Sequence, residues 1–167
     1  MILPAATRPP ESEADTVNFR RLPSILSSTA SATTSAPTGV GWGIDNRTLG
    51  FRKVGHGKGT RVECRIPGSD ANSYFAFAGT LAGGLYGIKN KMALAEPFAG
   101  NGYDAPQIPR IPWNIVDAIN LWESSDIARE CFGDDVHHHI LTMAKAEWLA
   151  FNHTVTAWEL RRYWERI

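Results

Sequence analysis

A chain of 167 residues is enough for about one domain. Its 17 Lys and Arg balance its 17 Asp and Glu, so no excess cationic field exists to hold nucleic acid or an anionic membrane. A hydrophobic content of 43% with six Trp excludes global disorder, and two distant cysteines, Cys64 and Cys131, make neither a zinc knuckle nor a disulfide scaffold.

Residues 1–38 read as a flexible segment. Pro4, Pro9 and Pro10 precede an acidic patch, and residues 24–35 are mostly Ser, Thr and Ala, with few large side chains to bury. A short basic island with Arg20 and Arg21 sits inside it. The N-terminus lacks a basic segment followed by a long apolar run, so no signal peptide is expected. No stretch approaches the roughly 18–20 apolar residues that span a bilayer. With the cysteine usage, this predicts a cytoplasmic protein with no membrane and no nucleic-acid partner.

Ordered structure is expected over 39–167. Strands are predicted at 40–44, 49–54 and 60–66. In the third, Arg61, Glu63 and Arg65 share one face, and Val62, Cys64 and Ile66 share the other. Asp45 and Asn46 supply a turn, and the glycine-rich 55–59 segment joins the second and third strands. Asp70 is placed as the N-cap of a helix over 71–89. That helix is apolar almost all round and carries Gly79, Gly83 and Gly84, so a central position is predicted. The proline-rich 90–112 reads as a loop. Helices follow at 113–123 and 125–131, the second closed by Gly133. Asp134 or Asp135 opens another to Asn152, with a core stripe of Val136, Ile140, Ala144, Trp148 and Phe151. Thr156 and Glu159 match a capping box that starts a last helix. Strands followed by helices make the class α+β.

Chemistry concentrates between Asn46 and Asn72. Arg47, Arg52, Arg61 and Arg65 lie on or beside adjacent strands, with Glu63 among them. Such a face is either a solvated ion-pair lattice or a polyanion site. Guanidinium forks grip phosphate or carboxylate, and one carboxylate among them can ligate a divalent cation. The 55–60 loop is not a Walker A, because its spacing fails and it joins two strands. Three consecutive histidines, His137, His138 and His139, point about 100° apart on a helix and do not converge on one ion. One half-buried ring is the expectation there. His56 is placed in the glycine-rich loop, Cys64 in the core and Cys131 as half-buried.

Several of these stretches together resemble one family. D-N-R-T at 45–48, G-H-G at 55–57, R-V-E-C-R-I-P at 61–67, Asn72 with Y-F-A-F-A at 74–78, and A-G-G-L-Y-G-I at 82–88 are similar to the C-terminal catalytic portion of the glutamine synthetase family. The resemblance runs from about Asn18 to Ile167. It implies antiparallel strands of a distorted barrel followed by helices. It also implies ATP-dependent phosphorylation of the glutamate γ-carboxylate, and displacement of that phosphate by an amine. ATP and Mg²⁺ (or Mn²⁺) are the implied cofactors, glutamate and an amine the substrates, and homo-oligomeric rings the assembly of full-length members. By motif position, Arg47 and Arg52 resemble the catalytic arginines at the transferring phosphoryl group. Arg21 and Arg65 resemble substrate-binding residues, Arg52, Lys58 and Arg61 the ATP-binding set, and Glu63 a metal ligand.

Two departures qualify what the resemblance implies. Ammonia-using members often carry a Glu just before Ala-Pro, where this chain has Ser35; this fits branches that use larger amines. The family's N-terminal β-grasp domain and the first half of its catalytic domain have no counterpart here. The chain alone is therefore expected to show no ligase turnover. The alternative expectation is a non-catalytic remnant or regulatory subunit that assembles with full-length homologues.

Overall fold

The computed structural model describes residues 36–68 and 70–166. The flexible segment expected over 1–38, including Arg21 and Ser35, lies almost wholly outside them. The described chain is α+β: three short strands, β1 (Trp42–Ile44), β2 (Phe51–Val54) and β3 (Arg61–Cys64), followed by helices α1 (Ser73–Lys89), α2 (Ile115–Glu123), α3 (Asp126–Asn152) and α4 (Ala157–Tyr163).

The sheet has the order β1-β2-β3. β2 and β3 are antiparallel and place Arg52 directly opposite Glu63. β1 and β2 are parallel, which corrects the all-antiparallel expectation. A parallel connection ordinarily needs about a dozen residues to run back along its strand. Here β1 is three residues long, so residues 45–50 suffice. Asp45 starts the reversal at φ 50°, a left-handed conformation that Asp tolerates better than most residues. Leu49, fully buried in the return run, packs with Ala105 and Ile108 and anchors it.

The proline-rich loop lies along the outer edge of β1. Phe98 N–H donates to the Trp42 carbonyl at 2.9 Å, the Trp42 indole donates to the Ala95 carbonyl at 2.7 Å, and Val40 N–H donates to the Pro109 carbonyl at 2.8 Å. A strand edge that would otherwise present unpaired groups is thereby covered. Val40, Ile66 and Ile111 form a second small core, with Phe51 and half-buried Cys64 against it. The expected apolar face of β3 is covered only toward its end, because Val62 is exposed.

The largest core lies between α2 and α3: Ile119, Trp122, Ile127, Ala128 and Leu141, with Tyr86, Cys131, Ile140, Ala144 and Trp148 against it. Gly133 breaks α3 at φ 78°, as the sequence predicts. Ile140, Ala144 and Trp148 of the expected stripe pack against this core, and the two ends of the stripe do not. Val136 and Phe151 are exposed, whereas His137 and Leu141 are buried. Trp122 of α2 stacks on His137, which draws that side of the helix into the core and leaves Val136 outside it. The Thr156–Glu159 capping box is present.

α1 differs most from expectation. Its N-cap is Asn72, whose side chain accepts from Tyr74 N–H at 3.0 Å; residues 70–71 form a turn instead. No α1 residue is buried. One edge meets α3, through Tyr86 and through Lys89, which bonds Glu130 at 2.7 Å. Tyr74, Phe77, Leu81, Leu85 and Ile88 are 60–82% exposed. Apolar content all round signals a helix covered on every side, and among the described residues only one side is covered.

Candidate phosphate-binding site

Strand pairing builds the site. Because Arg52 and Glu63 face each other across β2–β3, their side chains emerge on the same face of the sheet. Arg52 Nη1–H donates to Glu63 Oε2 at 3.0 Å. Arg61 Nη2 lies 3.5 Å from Glu63 Oε1. Arg65, further along the same face, adds to the positive potential at Glu63 and is held by its backbone N–H, which donates to the Gly50 carbonyl at 2.7 Å. The expected grouping of Arg61, Glu63 and Arg65 is thus present, with Arg52 joined to it.

Asp45 completes the cluster. It accepts from Arg52 Nε–H at 3.0 Å and also from Nη2–H. Arg52 is thereby held on two sides, and its side chain is only 15% exposed. These bonds, with Asp45 first and Glu63 second, raise the Arg52 pKa further above its ordinary value. The hydrogen bond from Arg52 holds the Glu63 carboxyl below the usual carboxylate range, helped by the charges of Arg61 and Arg65. The acid is ionised at neutral pH and the face carries a net positive charge.

Arg47 lies two residues beyond Asp45, on the return run, and is exposed. It lines an open cleft of about 520 Å³ with Asp45, Asn46 and residues 97–100. Asn46 pins this corner. Its amide donates to the Gly100 carbonyl at 2.8 Å, and its Oδ1 accepts from Thr48 N–H at 3.0 Å and Thr48 Oγ1–H at 2.7 Å.

Lys58 sits in a 3-10 turn, Gly57–Gly59, at the exposed tip of the β2–β3 hairpin. It takes no part in the ion-pair cluster among the described residues. Gly55 makes the tip possible: at φ 82°, a Cβ there would lie 2.2 Å from the Gly59 carbonyl oxygen. His56 is exposed beside it. Arg21 lies outside the described residues.

The sequence places Asp45 in a turn and in the D-N-R-T motif, and gives it no part in the arginine face. Its signal was present: an acid at a chain reversal, seven positions before an arginine on the paired strand.

The catalytic-domain profile of glutamine synthetase matches residues 14–163. The chain belongs to the glutamine synthetase family. It is 48% identical over 132 residues to a γ-glutamylethanolamide synthetase of Streptomyces coelicolor, covering 79% of this chain and 28% of that one. It is 41% identical over 136 residues to a type-1 glutamine synthetase of Dictyostelium discoideum, covering 79% and 26%. The fold resembles that of GmaS in its ligand-free structure, with a TM-score of 0.72 at 24% identity over 90% of this chain and 36% of that one. The chain therefore spans under a third of the curated relatives' length. The family's glutamate–amine ligases are enzymes of the same catalytic domain, and the arginine face lies within the matched segment.

Proposed function

We propose that this chain supplies the phosphate-binding side of an ATP-dependent ligase that joins an amine, ammonia or a small primary amine, to the γ-carboxylate of glutamate through γ-glutamyl phosphate. The observation that carries this reading is the Arg52–Glu63 pair across β2–β3, flanked by Arg61 and Arg65, in a chain of this family.

The chemistry asks for fixed cations. Phosphoryl transfer to a carboxylate, then displacement by an amine, gathers negative charge on oxygens that water alone stabilises poorly. Preoriented guanidinium groups meet that charge without reorganising. Arg47 and Arg52 act on the transferring phosphoryl group. Arg52, Lys58 and Arg61 hold the nucleotide phosphates, and Arg65 with Arg21 holds glutamate. The likeness to a γ-glutamylethanolamide synthetase, together with Ser35 in place of a Glu, favours a primary amine over ammonia.

The family's divalent cation is a different matter. No group of three or more His, Cys, Asp or Glu that could hold a metal is found among the described residues. Glu63 offers one carboxylate, engaged by Arg52 and Arg61, whereas Mg²⁺ takes about six ligands. These residues alone do not fit a metal site.

Turnover belongs to an assembled catalytic domain, and the isolated chain is expected to give none. A second reading, a non-catalytic subunit that assembles with longer relatives, is favoured by one feature: the exposed apolar side of α1. Calorimetric titration with ATP in Mg²⁺ buffer tests the main reading. Saturable binding, weakened about tenfold or more by Arg52→Ala, is expected. No binding at millimolar nucleotide would remove the chain from the phosphate side of the reaction.

A further inference from the structure

We infer that Asp45 is a positioning residue: it fixes the direction in which Arg52 presents its guanidinium to Glu63 and to an incoming phosphate. The inference rests on the phosphate-binding reading of this face and deepens it.

An arginine has five N–H donors in a planar fork. A single partner leaves the plane free to rotate about the side-chain torsions. Asp45 takes the Nε–Nη2 edge and Glu63 takes Nη1, so the plane is fixed by two anions on different elements. One is on the antiparallel partner strand; the other is at the reversal between parallel strands. With the Nε edge filled, an incoming anion meets only the remaining N–H groups on Nη1 and Nη2.

The position of Asp45 is itself set by the backbone. Its N–H donates to the Lys53 carbonyl at 2.9 Å, bridging to the residue next to Arg52. Its φ of 50° places the side chain where an extended residue would not. The following residue, Asn46, ties the same corner to residues 98–100. The backbone of this corner serves the β1–β2 reversal, but the Asp45 carboxylate does not serve the core. The Asp45 side chain is 71% exposed, and an exposed ion pair contributes little to stability. A rigid, backbone-held carboxylate with little stabilising effect is explained by what it orients.

The same aspartate limits how strongly Arg52 can attract an anion, because it partly neutralises the guanidinium. Removing it therefore sets two effects against each other: more positive charge, and a mobile fork. If positioning dominates, affinity falls even though local charge becomes more favourable. That sign separates positioning from simple electrostatics.

The test uses the full chain, with pyrophosphate as the probe. Arginine Nε–H resonances are followed by ¹H–¹⁵N NMR, and Arg52→Lys identifies the Arg52 signal. In the parent chain this signal is expected to stand apart from the other arginines and to exchange slowly with water. In Asp45→Ala it should move to the common arginine position and exchange about tenfold faster or more. Pyrophosphate binding by calorimetry should weaken about fivefold in Asp45→Ala. Asp45→Asn, which keeps an acceptor oxygen, should retain most of the affinity. Backbone amide shifts of α2 and α3 report that the fold is intact. An unchanged Arg52 signal in Asp45→Ala, or unchanged or tighter pyrophosphate binding, would overturn the inference. Failure of the parent chain to bind pyrophosphate counts against the phosphate-binding reading instead, and the Arg52 signal still decides whether Asp45 orients the fork.

Discussion

His137 and Trp122 bond to each other twice. The Trp122 indole N–H donates to the His137 carbonyl at 3.0 Å, and His137 Nε2 lies 2.7 Å from the Trp122 carbonyl. Their rings stack at 5.4 Å with 8° between planes. Both are buried, and the indole nitrogen and the imidazole Nε2 each find a carbonyl of the other residue. This pair ties α2 to α3 and explains why one ring of the histidine run is buried and not exposed on a metal-binding surface. Trp122→Ala is expected to cost about 3–5 kcal/mol. His137→Ala should cost about 1–3 kcal/mol, because the stacked ring is lost and the Trp122 carbonyl keeps only the Ser125 N–H donor. Urea unfolding followed by circular dichroism measures both.

α1 gives a contrasting prediction. Leu81 and Leu85 are exposed, so Leu81→Asp and Leu85→Asp should change the stability of this chain by less than about 0.5 kcal/mol. Leu49→Ala, at a fully buried site, should cost about 2–5 kcal/mol. The same urea experiment reads all three. A large loss from either aspartate would show that the exposed side of α1 is covered.

The Glu63–Arg52 pair predicts a pH dependence with a definite sign. Glu63 is held below its ordinary value of 4.5, chiefly by the Arg52 hydrogen bond. Its contribution to stability is therefore full above the unfolded-state pKa and is lost as pH falls through the lower folded-state pKa. The matching shift of Arg52 is upward, from its bonds to Asp45 and Glu63, so it stays protonated throughout the acid range. Glu63→Gln should be less stable than the parent near neutral pH, and the gap should close on acidification. Glu159, also lowered by its capping bonds, is common to both proteins and cancels in the comparison. Unfolding midpoints at several pH values between about 7 and about 3 provide the readout.

The hairpin tip separates two glycines. Gly55→Ala would put a Cβ 2.2 Å from the Gly59 carbonyl oxygen at a φ of 82°, so the turn must rearrange. At Gly57 the φ is 55° but nothing lies within 4 Å, so the substitution meets only backbone strain, about 1 kcal/mol. Hydrogen exchange of β2 and β3 amides should rise clearly in Gly55→Ala and little in Gly57→Ala.

The sequence was most legible where a local rule is also the global one. Alternation along 61–65 placed Arg61, Glu63 and Arg65 together, the capping box at Thr156 held, and Gly133 ended a helical segment. It was least legible where partners come from far along the chain. The parallel β1–β2 pair depends on a buried Leu49 and a left-handed Asp45, neither of which periodicity encodes. Asp45's bond to Arg52 needs that same reversal. The burial of α1 was misjudged because composition reports what a helix can bury, not whether a neighbour is there to bury it. For the arginine face, the residues that share it were readable from alternation, whereas the doubly anchored orientation of Arg52 was readable only from geometry.

The arginine face is proposed to carry phosphate chemistry in a glutamate–amine ligase. The most direct measurement is a chimera in which this chain's matched segment replaces the corresponding 132 residues of the Streptomyces coelicolor γ-glutamylethanolamide synthetase. The assay is ATP-dependent phosphate release with glutamate and ethanolamine. Turnover by the chimera is expected, with a loss of about a hundredfold or more in Arg52→Ala and in Glu63→Gln. A chimera that folds and assembles as its parent does, yet releases no phosphate, or one whose turnover ignores both substitutions, would contradict it.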